Sequence, residues 1–173
     1  MRTITLLFLL TLSFCSNGQT KNPFLSLKFD KVIIYDYEPN GENPSLVDKG
    51  QILKEVKIKK QIQLDKATIE RLSAKLCDKK SYGNNHADCF EPHLGIVYYL
   101  QNKIVGHVII CLDCNLLSSS IDIPALKQGE QRHGKDVYYN LDGLSKSFRQ
   151  FLNDLLKKHN FSHQIKGSSM FDR

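Results

Sequence analysis

The chain of 173 residues contains no tryptophan, two methionines and five prolines. Its glycine and proline content is too low for a collagen-like chain, and 41% hydrophobic residues is too many for a disordered one. It has no internal repeat, no low-complexity tract, no glycine-rich phosphate loop, no His-Glu-x-x-His and no Gly-x-Ser-x-Gly elbow. Asn115, rather than His, follows Cys114, so the c-type haem signature is missing too. The formal charge of +6 is spread along the chain and does not point to a nucleic-acid partner. Its densest basic run, Lys54, Lys57, Lys59 and Lys60, alternates with apolar residues and reads as the solvated face of a sheet.

One long apolar run is present, from Ile4 to Phe14, after a basic start at Arg2. It is too short to span a bilayer and fits a signal peptide, and no later stretch is a membrane span. Ser16 and Gly18 supply small residues before a cut, so residues 1–18 are expected to leave and the chain to be exported, periplasmic or extracellular. Cys15 ends the apolar run as a lipoprotein acylation site would, but the bulky Phe14 stands where a small residue is wanted. Release is therefore expected in preference to a lipid anchor at Cys15. Outside the reducing cytosol, the remaining Cys77, Cys89, Cys111 and Cys114 read by default as disulfide formers.

Residues 19–161 read as one α+β domain and residues 162–173 as a flexible tail. Leu25, Leu27 and Phe29 alternate and are followed by the apolar cluster Val32-Ile33-Ile34-Tyr35 and Tyr37, a strand with an irregularity at Asp30-Lys31. Pro39-Asn40-Gly41 and Pro44 end it in a loop. Val56, Ile58, Ile62 and Leu64 occupy even positions between polar odd ones, a strand with one wet face. Asp65 caps a helix to about Asp78 with Ile69, Leu72 and Leu76 on one side. Leu94 to Leu100 and Ile104 to Cys111 flank the polar step Gln101-Asn102-Lys103, a hairpin in which residues summing to about 203 or 205 face each other. Asn115 to Asp136 reads as a long loop, the expected partner-binding surface. Leu144, Phe148, Phe151, Leu152, Leu155 and Leu156 form a second helical stripe. The expected architecture is a single antiparallel sheet of about four strands with two helices packed on one face.

The hairpin brings Cys89 and His93 beside Cys111 and Cys114, and three chemistries fit the group. A staple joins Cys89 to Cys111 or Cys114, leaving Cys77 the remaining partner. A zinc or copper site takes thiolates from Cys89, Cys111 and Cys114 with an imidazole from His86, His93 or His107. A redox pair uses the Cys-x-x-Cys of Cys111 and Cys114, although Asp113 between them raises a thiol pKa. No catalytic residue is nominated.

The run Cys89-Phe90-Glu91-Pro92-His93-Leu94-Gly95, the hairpin, and then Cys111-Leu112-Asp113-Cys114 resembles a family of small uncharacterised exported proteins of Gram-negative bacteria. The resemblance covers about residues 89–114. It implies that the three cysteines form a unit, and it implies no activity. The expectation is a non-enzymatic exported module without a cofactor, stabilised by disulfides and meeting a protein or other envelope component; the metal and thiol-redox readings are its alternatives.

Overall fold

The computed structural model describes residues 22–39, 45–83, 89–140 and 143–165. The proposed leader, Cys15, His86 and the turn at 40–44 lie outside these residues. Helix α1 (Pro23–Ser26) is a single turn capped by Asn22, and it seats Phe24 in the core while Leu25 stays exposed. The Leu25-Leu27-Phe29 alternation is therefore not strand, and β1 (Lys31–Glu38) begins later. A short ribbon, β2 (Val47–Asp48) and β3 (Gln51–Ile52), leads into β4 (Lys57–Gln63). Helix α2 (Lys66–Cys77) starts where Asp65 accepts the Thr68 N–H at 2.7 Å. Then come β5 (Tyr82–Gly83), β6 (Leu94–Leu100), β7 (Lys103–Cys111), β8 (Leu116–Ser119), β9 (Glu130–His133), β10 (Asp136–Tyr139), β11 (Gly143–Leu144) and α3 (Lys146–Lys158).

The main sheet has five strands in the order β4-β1-β6-β7-β8, all pairs antiparallel, with three two-stranded ribbons beside it. The expected loop from Asn115 contributes the fifth strand, because Leu116 to Ser119 pair with Val108 to Cys111. The β6–β7 hairpin turns on Gln101 and Asn102, both at positive φ (51° and 64°), as a tight two-residue turn requires. Its pairs sum to 203 next to the turn and to 204 beyond a bulge at Tyr98/Tyr99, which carries the register on to Leu94 opposite Ile110.

Helices α2 and α3 pack Leu72, Leu76, Phe148, Leu152 and Leu156 on one face of the sheet, against Ile34, Ile96, Tyr98 and Ile110. The opposite face is not wet. Leu46, Val47, Val56 and Phe90 cover it and pack against Tyr35, Tyr37, Val97 and Ile109. A Cβ on Gly95 would collide with Leu46, so glycine is what lets this cover lie flat on the sheet. Even-numbered positions of β4 do not share a face, because a bulge opposite Asp36/Tyr37 leaves Lys59 as the extra residue. Ile62 consequently joins the helix-side core and Ile58 the other one. No helix among the described residues is long and apolar enough to cross a membrane.

Candidate functional site

The end of β1, the start of β6 and the end of β7 lie at one end of the antiparallel sheet. Two clusters form there. In the first, Cys89 and Cys114 are disulfide-bonded with Cα atoms 5.9 Å apart, 25 residues apart in sequence. The chain leaves β7 in a turn that ends on Asn115 at positive φ (58°), whose Nδ2 donates to the Leu144 carbonyl at 2.9 Å. That turn swings Cys114 back towards Cys89.

Cys111 keeps its thiol and is fully buried; Cys77, at the end of α2, also keeps its thiol and is partly buried. The second bridge expected between Cys77 and a remaining partner does not form. Cys77 packs on the helix-side core, whereas Cys111 lies against Tyr37 of the opposite face, and the sheet separates them. Burial pushes the Cys77 thiol up to about 11. Burial also raises Cys111, only partly offset by the N–H of Cys114, 3.2 Å from its sulfur, and by those of Glu91 and Asp113; the Asp113 charge adds to the rise.

The three-sulfur metal shell is accordingly not assembled here, because two of its sulfurs bond to each other. The Cys111/Cys114 pair is likewise split, with Cys114 bonded to Cys89. His107 sits in mid-strand opposite Val97, four residues before Cys111, or about 13 Å along the strand, beyond the reach of a shared ion. Burial lowers its pKa, the behaviour of a half-buried core imidazole. His93 belongs instead to a second cluster.

That cluster begins with Asp36, a carboxylate inside an otherwise apolar strand, almost wholly buried. After α3, Asn160 reverses the chain at positive φ (52°) and Phe161 plugs the core, which lays Ser162 and His163 on the end of β1. Ser162 donates its N–H (2.5 Å) and its hydroxyl (2.8 Å) to Asp36 Oδ2, and His163 Nδ1 lies 2.6 Å from Oδ1. Burial alone would raise the Asp36 pKa, but the bonds from His163 and Ser162 outweigh it and hold the carboxyl below its ordinary range. Residues 162–165 are thus tied down, and the flexible tail expected from 162 does not start there. The Ile165 N–H donates to Asn153 Oδ1 at 3.1 Å as well.

Beside Asp36, Glu38 is ion-paired with Lys59, the bulged residue, and lies 3.4 Å from His93 Nδ1 and 3.5 Å from His163 Nε2. The Lys59 bond, with smaller help from both histidines, holds Glu38 below the usual carboxylate range. His93 is fixed from two sides: the Tyr37 N–H donates to its carbonyl at 3.1 Å, and its Nδ1 lies 3.0 Å from the Tyr37 carbonyl. The His93 and His163 rings stack with centroids 3.9 Å apart, inclined at 10°.

Ser162, His163 and Asp36 do not form a catalytic triad. In a triad the imidazole stands between hydroxyl and carboxylate, but here the hydroxyl and Nδ1 both bind the same carboxylate. What the cluster offers is two imidazoles and one carboxylate converging, and Glu38, His93 and His163 are the metal-competent group among the described residues. Of these three only His93 is a candidate on sequence grounds. The one available signal was Asp36 itself, a lone charge within Val32-Ile33-Ile34-Tyr35-Asp36-Tyr37, since a buried carboxylate requires a partner. Compared with protein-family models, curated proteins and solved structures, the chain matches none of them.

Proposed function

We propose that the chain is an exported, non-enzymatic binding module, stapled by Cys89–Cys114, that meets a protein of the cell envelope through the arm formed by β9 and β10. The observation that supports this reading is the arm itself. Its two strands pair with each other and with no strand of the main sheet, and every residue from Glu130 to Tyr138 is exposed. Val137 and Tyr138, 41% and 54% exposed, hold large apolar surface in water. A two-stranded hairpin that buries so little adds little to folding, so the exposed Val137 and Tyr138 are better accounted for by a partner than by stability.

A photo-crosslinking residue placed at Tyr138 tests this in the native host, with the same residue at Lys54 as a control on a different exposed segment. A single protein adduct of defined mass at position 138 and none at 54 is the expected outcome. No adduct at 138, or the same adducts at both positions, overturns the reading. Export is tested separately by the mature N-terminus, expected at Gln19.

A further inference from the structure

The surroundings of the histidine cluster decide which ring nitrogens it presents. A carbonyl oxygen can only accept, so the bond to Tyr37 makes Nδ1 the protonated nitrogen of His93. The Asp36 carboxylate, already accepting twice from Ser162, takes the Nδ1 hydrogen of His163 in the same way. Two rings stacked 3.9 Å apart repel each other if both are charged. Neutral rings with Nδ1 protonated each present a bare lone pair at Nε2. Imidazoles whose far nitrogen is pinned by a buried carboxylate or a backbone carbonyl have the orientation found in metal ligands.

We propose that Nε2 of His93, Nε2 of His163 and the carboxylate of Glu38 bind one divalent transition-metal ion of the zinc type, with Asp36 and the Tyr37 carbonyl as positioning groups. A ring nitrogen of each histidine and a carboxylate oxygen of Glu38 already lie within 4.8 Å of one another, His163 Nε2 being 3.5 Å from Glu38. Two nitrogens and one oxygen suit zinc and its neighbours, and they disfavour magnesium and calcium, which take shells of oxygen. Three protein ligands leave a fourth tetrahedral position for water or for a group on a partner. Lys59 is the competing cation, and an ion at Glu38 displaces it. An ion held in the plane of both rings also ends their near-parallel stacking, so binding splays the imidazoles. No thiol takes part, which separates this site from the disulfide and makes it independent of the arm proposed above.

Calorimetric titration of the oxidised, purified chain with zinc sulfate tests the proposal. Saturable binding of one zinc per chain is expected, undisturbed by excess magnesium. His93→Gln, His163→Gln and Glu38→Gln should each weaken it at least about tenfold, and Asp36→Asn by about 10–100-fold. Cys111→Ser and His133→Gln should leave it unchanged. The visible spectrum of the cobalt-loaded chain should shift in Asp36→Asn, a change that loss of fold stability alone would not produce. Absence of saturable zinc binding, or unchanged affinity in folded His93→Gln and His163→Gln chains, overturns the site. Should either histidine variant fail to fold by circular dichroism, Glu38→Gln decides, because that side chain is 37% exposed and carries no core packing.

Discussion

The cysteine cluster spans 25 positions of sequence and closes on a covalent bond, whereas the histidine cluster joins Asp36 to His163, 127 positions apart, and closes on hydrogen bonds and ion pairs. Both sit at the same end of the same sheet and share β6 and its approach. The first is held by a bond that does not titrate, and its remaining thiol is buried and raised in pKa. The second holds only while a buried carboxylate stays charged and donors reach it. A single sheet end thus carries one region fixed against its surroundings and one that responds to protons and ions.

The largest effect separating the two should come from removing the covalent link. A Cys89→Ala/Cys114→Ala chain should lose about 3 kcal/mol, the loop-closure value for a link of this length. The shift in urea midpoint would measure it, and reductant added to the wild type should reproduce it. A loss well under 1 kcal/mol would mean that the cysteine cluster, like its neighbour, rests on non-covalent packing.

Next in size is Asp36→Asn, which weakens three hydrogen bonds to a charged acceptor and loosens Ser162 and His163; about 2 kcal/mol at neutral pH is expected. The pH dependence follows from the direction of the shift. Because the folded-state pKa of Asp36 is lowered, its contribution is fully present above its ordinary value of 3.8 and is lost as pH falls from there through the lower folded value. Wild type and variant should therefore begin to converge in stability as pH falls below 3.8 and meet only below the lowered folded value. A constant difference across that range would assign the effect to packing alone.

Labelling sharpens the contrast at the level of single groups. Of the four cysteines after residue 18, Cys77 and Cys111 should alkylate slowly in the native chain at pH 8, since burial raises both thiols. Both should react once the chain is denatured, and all four after reduction, by intact mass. Fast native labelling of Cys111 would show that this region opens as readily as its neighbour. The smallest effect is expected at the arm, where Tyr138→Ser should change the thermal midpoint by no more than corresponds to about 0.5 kcal/mol.

How legible these regions were follows from the range of the forces that build them. The hairpin could be read because alternation on both sides of a polar step is a local pattern with one favourable register, and its closure alone carries Cys89 towards Cys114. The second core is not legible, because Leu46 belongs to a segment without strand or helix periodicity and Val56 reads as one face of a strand together with Ile62 and Leu64; only docking onto Gly95 and Tyr37 reveals their use. The bulge at Lys59 was equally silent. An extra residue leaves the odd-even pattern of β4 intact in sequence while exchanging the faces on which Ile58 and Ile62 lie.

Sequence alone was enough for α2, α3, the β6–β7 hairpin and the convergence of Cys89 with the later cysteines, because caps, apolar periodicity and turn chemistry act over a few residues. Asp36 is visible there as a charge within an apolar strand, but the sequence leaves it without a role. Which partner answers that charge was decided only in three dimensions. The chain had to reverse at Asn160, seat Phe161 in the core and bring His163 onto the end of β1, and nothing within 126 residues of Asp36 along the chain announces a hydrogen bond made only once the core has closed.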